Sequence, residues 1–185
     1  MQRYKELKRL VTKLQPEKIL EIGTWKGHRA ISLCEGLDAF YVGFDLFQDG
    51  NEIIDRQESN GKGRSHLAGV DQALTDRNIS HELIKGNTNI TLPEYINYTS
   101  HRFDFAFIDG GHSVETIEND WLCVKQLMKE GGVVVFDDYY QNMDKSFIDR
   151  FGANRVLEKY KLNYELSNSI DPVTGGGQVR TVKIL

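Results

Sequence analysis

The chain has few cysteines, no long apolar run and no excess of charge of one sign. Its two cysteines, Cys34 and Cys123, fall in predicted helices, and neither has a second cysteine at the spacing of a metal motif or a disulfide framework. No segment approaches the ~20 apolar residues of a membrane span, and the start, MQRYKELKRLVTKL, has no apolar stretch of signal-peptide length. We therefore predict a cytoplasmic protein with no membrane partner, whose cysteines are core thiols.

The charges are nearly balanced, with 23 Lys and Arg against 27 Asp and Glu and a net charge of −4. Such a chain has no strong basic field to attract nucleic acid, so we predict no nucleic-acid partner. Its 185 residues fit a single domain spanning 1–185, long enough to bury a core without disulfides or metals. There is no internal repeat or low-complexity segment.

The first residues have the pattern of an amphipathic helix. Tyr4, Leu7, Val11 and Leu14 recur at steps of three and four residues, which predicts a helix over 1–15 that ends before Pro16. We expect this helix to pack on a sheet edge. Its apolar face suits a contact in a homo-oligomer equally well.

Strand-like and helix-like segments then alternate along the chain. Strands are predicted at 18–22, 40–45, 81–85, 103–108, 133–136, 163–167 and 178–184, and helices at 27–36, near 67–74, at 113–130 and at 145–160. The last two strands are joined by a loop too short for a crossover helix, so they should form an antiparallel hairpin. The prediction is an α/β fold with a Rossmann-like, doubly wound, seven-stranded sheet that is mostly parallel and has an antiparallel C-terminal hairpin strand.

The first predicted strand leads into a glycine turn, EIGTWKG, and the second ends on Asp45. Glycines let the backbone pass close to a ligand, and an acidic residue about twenty positions further on lies at ribose-binding distance. The turn lacks the GxGxxG spacing of dinucleotide sites, so it indicates a nucleoside-containing cofactor without naming it. Alternatively, Asp45 is a helix cap or a solvated turn residue.

Three further carboxylates, Asp109, Asp137 and Asp138, follow the fourth and fifth predicted strands. Carboxylates gathered at one sheet edge repel each other unless a cation is present, and a hard divalent ion such as Mg²⁺ fits oxygen ligands. His112 lies beside them, and an imidazole can take a proton from a hydroxyl group at neutral pH. The structural alternative is that the aspartates cap helices or contact the cofactor and that His112 bonds to the backbone.

The turn EIGTWKG and the order of elements resemble class I S-adenosylmethionine (SAM)-dependent methyltransferases over nearly the whole chain from Lys18 to Leu185. Within that superfamily, FIDGGHSVETIENDW followed by GGVVVFDDY resembles small bacterial members related to the metal-dependent catechol and macrolide-sugar O-methyltransferases. The resemblance implies a transferase that uses SAM and a divalent cation such as Mg²⁺ to methylate a small hydroxylated acceptor, a sugar or another vicinal diol.

The resemblance also implies roles for particular residues. The expected cofactor contacts are Glu21, Gly23, Thr24, Gly27, Asp45, Leu46, Asn87 and Asp109. The expected metal ligands are Asp109, Asp137 and Asp138, and the expected catalytic residues are His112, as the base, and Asp109. Thr24 and neighbouring amides would bind the methionine carboxylate, Asp45 the ribose and Asn87 the adenine.

Two features depart from the family pattern or vary within it. Relatives often have a small hydroxyl residue shortly after the turn, where this chain has His28 and Arg29; we expect Arg29 to be a solvated helix charge rather than a ligand of the methionine carboxylate. The polar segment 48–65 is predicted to be a loop or mobile lid near the site. The rival functions are a metal-independent N- or C-methyltransferase, a non-catalytic SAM-binding module and a nicotinamide oxidoreductase.

Overall fold

The computed structural model of the protein describes residues 1–58, 61 and 63–185. These residues form one sheet of eight strands, numbered along the chain. The strands are β1 (Lys18–Ile22), β2 (Phe40–Asp45), β3 (His81–Lys85), β4 (Phe103–Ile108), β5 (Met128–Gln141), β6 (Tyr164–Leu166), β7 (Asp171–Pro172) and β8 (Gln178–Ile184). Their order across the sheet is β3-β2-β1-β4-β5-β8-β6, with β7 paired to β8.

The direction of the strands agrees with the prediction. β1 to β5 are parallel to their neighbours in the order β3-β2-β1-β4-β5, and β8 runs antiparallel to both β5 and β6. The described sheet has eight strands rather than seven because the loop before β8 contributes the two-residue β7. The strand order reverses between β1 and β4, which is where open α/β sheets bind their ligands.

Helices cover both faces of this sheet. They are α1 (Gln2–Leu14), α2 (His28–Cys34), α3 (Glu52–Gln57), α4 (Leu67–Thr75), α5 (Thr88–Tyr98), α6 (Val114–Leu127), α7 (Lys145–Ile148) and α8 (Asn154–Lys159), with a short 3-10 helix at Phe47–Asp49. Successive strand residues point to opposite faces, so Ile19 belongs to one core cluster and Leu20 to the other. The doubly wound arrangement is therefore confirmed.

Helix α1 lies on a face of the sheet, not at its edge. Leu7 and Val11 are buried in the same core cluster as Phe107 of β4 and Val135 of β5. These are central strands, so the prediction of packing on a sheet edge is wrong. The apolar face of α1 is already covered within the chain, which leaves Leu14 at its end exposed.

Several element boundaries differ from the predicted ones. Helix α6 ends at Leu127, and β5 continues through Gly131 to Gln141 instead of stopping at 136. The predicted helix over 145–160 is two short helices, with Gly152 between them at φ +86°. Helix α5 has no counterpart in the prediction because its periodic signal is weak: only Leu92 and Tyr95 of it are buried.

The segment 48–65 contains the end of the 3-10 helix and all of α3. Part of the predicted loop is therefore helical, and Asn51 caps α3 by accepting from the N–H groups of Ile53 and Ile54. Ser59, Asn60 and Lys62 of this segment lie outside the described residues. Within the described part of the chain, no helix is long and apolar enough to cross a membrane.

Candidate active site

A pocket of about 880 Å³ opens at the carboxyl ends of β1 to β4. Parallel strands bring their carboxyl ends to one edge, so residues far apart in sequence meet there. The predicted site residues that line this pocket are Gly23, Thr24, Asp45, Leu46, Asn87, Asp109 and His112. Glu21 and Gly27 are not among the lining residues of this pocket, and neither are Asp137 and Asp138.

The glycine turn after β1 packs directly on the end of β4. Gly23 has φ +93°, and a Cβ there would overlap the carbonyl oxygen of Asp109 and lie 2.8 Å from the Cα of Gly110. The N–H of Asp109 donates to the carbonyl of Ile22 at 2.8 Å, which ties the two strand ends together. Only glycine fits both the conformation and the space at position 23.

Asp45 organises the neighbouring turn. Its carboxylate accepts from the N–H of Trp25 and from the N–H of Phe47, each at 2.7 Å. Trp25 and Phe47 both have positive φ, at 47° and 48°, so the carboxylate stabilises two unusual backbone conformations. The indole N–H of Trp25 in turn donates to the carbonyl of Gly63, which joins the turn to the segment 48–65.

Glu21, which lies on β1 two residues before Gly23, is fully buried. It accepts from the hydroxyl of Tyr41, which also contacts the Thr24 hydroxyl at 3.0 Å. Burial raises the pKa of Glu21 to about 7, although the charge of Arg29 and the Tyr41 hydrogen bond act in the opposite direction. The Tyr41 hydroxyl thus connects the Thr24 side chain to the buried carboxylate of Glu21, which stabilises the turn.

Arg29 is not a solvated helix charge, so that prediction is wrong. Its guanidinium pairs with Glu21 at 3.3 Å and with Asp109 at closer range, and it stacks on the rings of Tyr4 and Phe107 at 4.3 and 5.0 Å. Two buried carboxylates and two aromatic faces account for an arginine in this place, because a guanidinium binds both kinds of partner. Arg29 lies on the same edge of the pocket as Asp109.

Of the remaining expected cofactor residues, Asn87 and Leu46 line the pocket and Gly27 does not. Asn87 caps α5, accepting from the N–H of Asn89 at 2.9 Å, and its neighbour Gly86 also lines the pocket. Leu46 follows Asp45 in the pocket wall. Gly27 begins α2 at φ +74°, where a Cβ would lie 2.9 Å from the side chain of Val70. Gly27 therefore serves the packing of α2 against α4.

His112 is held in one orientation. Its Nδ1 lies 2.8 Å from the carbonyl oxygen of Glu58, and a carbonyl only accepts, so Nδ1 carries the hydrogen in this contact. Nε2 is then the basic nitrogen of the neutral ring, and it lies 3.4 Å from Oδ2 of Asp138. This arrangement suits a base that takes a proton on Nε2 and is stabilised, once charged, by a neighbouring carboxylate.

The acidic residues divide into two groups. The first group could hold a metal ion, because it offers three ligand atoms within 4.8 Å of one another, one each from Asp109, His112 and Asp138. Asp137 is engaged elsewhere: its two oxygens accept from Arg3 at 2.7 and 3.0 Å and from the hydroxyl of Tyr4 at 2.7 Å. The group with metal-ligand spacing therefore contains His112 in place of Asp137, and the expected set of Asp109, Asp137 and Asp138 stays a prediction.

The two adjacent aspartates also differ in their proton affinity. Burial and the negative charge of Asp137 raise the pKa of Asp138 to about 7, with His112 acting against this. Burial would also raise the pKa of Asp137, but the hydrogen bonds and charge of Arg3 hold it below its usual range. Asp137 is thus neutralised by an arginine, whereas Asp138 is the carboxylate at which an added cation would be most favourable.

Comparison with known proteins identifies the family to which this pocket belongs. A family profile described as "Methyltransferase domain" matches residues 20–139, more than half of the chain. The chain belongs to this methyltransferase family. No curated protein matches it in sequence.

Solved structures agree with the fold of this methyltransferase. The O-methyltransferase TomG from Streptomyces achromogenes, involved in tomaymycin synthesis and crystallised with SAM, has a TM-score of 0.70 at 19% identity, with 98% of this chain and 78% of that chain covered. The O-methyltransferase from Bacillus cereus in complex with S-adenosylhomocysteine (SAH) has a TM-score of 0.70 at 19% identity, with 100% of this chain and 80% of that chain covered. The N-methyltransferase NodS from Bradyrhizobium japonicum WM9 has a TM-score of 0.60 at 12% identity, with coverages of 97% and 94%. At these identities the likeness shows the fold alone.

The methyltransferase pocket also contains residues that the sequence interpretation missed. Glu58 lines it, and its carboxylate accepts from the N–H of Ser113 at 2.7 Å and from the hydroxyls of Ser113 and Thr116 at 3.0 and 2.7 Å. Glu58 therefore caps α6 from another segment while its carbonyl orients His112. No local pattern around Glu58 indicates this, because its partners lie more than fifty positions away.

We expect Glu58→Ala to destabilise the methyltransferase by about 1–2 kcal/mol, since it removes an acidic cap from the N-terminus of α6. Chemical unfolding measures this change, and nitrogen chemical shifts of His112 report whether the ring keeps its tautomer. Glu52→Ala is the matched control, because Glu52 lies in the same segment with its side chain 84% exposed in a surface ion pair. Its effect should stay within about 0.5 kcal/mol, and an equal effect of both variants would contradict the capping role.

Proposed function

We propose that the protein is a SAM-dependent O-methyltransferase acting on a small hydroxylated molecule, such as a sugar or another vicinal diol. The observation that carries this proposal is the pocket itself. The pocket is lined by the glycine turn, Asp45, Asn87 and His112. Because Nδ1 of His112 contacts a backbone carbonyl, Nε2 is its basic nitrogen. Its volume of about 880 Å³ is enough for a nucleoside cofactor together with a small acceptor.

The cofactor half of the proposal rests on Asp45 and Gly23. Asp45 lies in the pocket wall at the end of β2, and a carboxylate in this place can accept from the two ribose hydroxyls. Gly23, without a side chain, allows the methionine part to approach the backbone of the turn. The hydroxyl of Thr24 is hydrogen-bonded to the hydroxyl of Tyr41. We therefore assign binding of the methionine carboxylate to the backbone amides of the turn rather than to the Thr24 side chain.

The reacting half rests on His112 and Asp138. As the acceptor hydroxyl attacks the sulfonium methyl group, the new O–C bond forms while the S–C bond breaks, and the hydroxyl proton passes to Nε2 of His112. Asp138, 3.4 Å from that nitrogen, stabilises the imidazolium that results. SAH and the methyl ether leave. Alignment of the two substrates in the pocket provides the rest of the rate increase.

A divalent cation is the further element that the family resemblance implies. The residues present fit such an ion, but they are not the three expected aspartates: ligand atoms of Asp109, Asp138 and His112 lie within 4.8 Å of one another. Two carboxylates are enough, because Mg²⁺ typically uses only one or two protein carboxylates plus water and substrate. We propose Asp138 and Asp109 as its ligands, with the Asp109 carboxylate shared between the cation and Arg29. When bound, such an ion would lower the energy of a developing alkoxide. His112 keeps Nε2 for the proton.

Methylation of oxygen is favoured over nitrogen by one feature of the site. An alcohol must lose its proton during transfer, whereas a neutral amine attacks with its own lone pair and can lose its proton afterwards. A histidine with an orienting carbonyl on one nitrogen and a carboxylate beside the other is therefore more useful to an O-methyltransferase. A non-catalytic SAM-binding module would need neither contact.

Calorimetric titration with SAM and then with NAD, with and without Mg²⁺, tests the cofactor. We expect SAM to bind and NAD not to bind, and Asp45→Asn to weaken SAM binding about tenfold or more because a charged acceptor is lost. Asp49→Asn is the matched control, since Asp49 lies on the adjoining 3-10 helix in a surface pair with Lys85. Failure of SAM to bind under every condition would refute the proposed function.

A further inference from the structure

We propose that Asp137 is the anchor of helix α1 and not a ligand of a cation, and that Arg3 is the fixed cation at this position. The Arg3 guanidinium is buried and contacts both oxygens of Asp137, with Nε at 2.7 Å from Oδ1 and Nη2 at 3.0 Å from Oδ2. This paired geometry is the strongest mode in which an arginine binds a carboxylate. It leaves Asp137 with its charge matched from within the chain.

A second carboxylate holds the same end of α1. Asp171 of β7 accepts from the N–H of Gln2 at 2.9 Å and of Arg3 at 3.3 Å, and from Nη1 of Arg3 at 3.0 Å. Met1, the residue before the helix, makes no capping contact with its side chain. Asp171 therefore caps α1 from a distant strand, where a negative charge is favourable. Arg3 bridges this cap to Asp137.

The geometry of β5 explains why adjacent aspartates serve different partners. Successive strand residues point to opposite faces, and Val135, two positions before Asp137, belongs to the core cluster under α1. Phe136 belongs to the cluster on the other face, toward which Asp138 follows. The pairing of β5 with β8 is also irregular between Phe136 and Tyr139, and Asp138 has φ +57°. One aspartate thus meets α1 and the other meets His112.

The anchor has a consequence for the pocket, because α1 carries Tyr4 into its wall. The guanidiniums of Arg3 and Arg29 lie over the Tyr4 ring, 4.4 and 4.3 Å from its centre, and the Tyr4 hydroxyl donates to Asp137. Burial and the charges of Asp109 and Asp137 raise the pKa of Tyr4, so the phenol remains a hydrogen-bond donor. Arg3 and Asp137 are accordingly positioning residues: they fix the wall of the pocket next to Asp109.

The neighbouring variants Asp137→Asn and Asp138→Asn test this assignment on the full-length protein. Hydrogen exchange of the α1 amides should accelerate about tenfold or more in Asp137→Asn and in Arg3→Ala, because a charge-assisted contact is lost. It should stay within about twofold of the wild type in Asp138→Asn, whose carboxylate lies 3.4 Å from His112. Lys5→Ala, on the exposed face of the same helix, should also leave exchange unchanged.

Titration with Mn²⁺ in place of Mg²⁺ supplies a second readout, and this arm rests on the proposed function. Affinity should fall at least about tenfold in Asp138→Asn and stay within about threefold in Asp137→Asn. Equal loss of Mn²⁺ binding in both variants, or α1 exchange that does not respond to Asp137→Asn, would overturn the anchor. If the wild type binds SAM but no Mn²⁺, the cation proposal fails and hydrogen exchange alone decides on the anchor.

Discussion

Replacing His112 with alanine should lower the turnover number by about 10²–10⁴-fold while changing the affinity for SAM by no more than about threefold. We expect the two effects to separate because Nε2 of His112 faces Asp138, whereas Asp45 and Asn87 lie at the strand ends where we propose that the cofactor binds. A general base acts on the acceptor proton in the transition state. It contributes little to holding the cofactor.

The measurement is transfer of a labelled methyl group from SAM to acceptors drawn from a panel of sugars, catechols and amines. His66→Ala is the matched control, since His66 is exposed and does not line the pocket. Unchanged transfer in His112→Ala would remove the base from the mechanism, whereas SAM binding without any transfer by the wild type would favour a binding module.

The sheet and most of the pocket were predictable because they follow from local patterns. Strand segments show continuous apolarity, the turn needs glycine, and parallel strands place their carboxyl ends together. These patterns predict Gly23, Asp45, Asn87 and Asp109 at one edge of the sheet, and the structure places them around one pocket. Their individual ligands remain predictions.

The network of charges was not predictable in the same way, because it depends on contacts between distant segments. Arg3 and Asp137 are separated by 134 positions, and nothing near either residue indicates its partner. One signal was nevertheless present. Arg3 shares the four-residue spacing of the buried Leu7 and Val11, so an arginine stands on the apolar face of α1 and requires a buried counter-charge.

The adjacent aspartates illustrate a second limit. Treating Asp137 and Asp138 as one pair at the end of a strand overlooks that β5 continues to Gln141 and that neighbouring residues on a strand point apart. Repulsion among these carboxylates predicts cations but not their source, and two cations, Arg3 and Arg29, come from helices α1 and α2.

Gly23→Ala should be the most damaging single change at the cofactor end. Its φ of +93° is strained for alanine, at roughly 1–2 kcal/mol, and the new Cβ would overlap the carbonyl of Asp109. Overpacking against backbone costs about 1–3 kcal/mol more, because neither strand end can move without breaking the hydrogen bond between Asp109 and Ile22. We expect a total of about 2–5 kcal/mol in unfolding free energy.

Gly36→Ala separates the two contributions to this effect. Gly36 has a similar φ of +79°, but a Cβ there meets nothing within 4 Å, so only the conformational cost of roughly 1–2 kcal/mol applies. Chemical unfolding of both variants, with SAM titration at a temperature where each is folded, gives the comparison. SAM affinity should fall at least about tenfold in Gly23→Ala and stay at the wild-type value in Gly36→Ala. Equal losses of stability would mean that backbone strain, and not the close approach of β1 to β4, is what requires glycine in the turn.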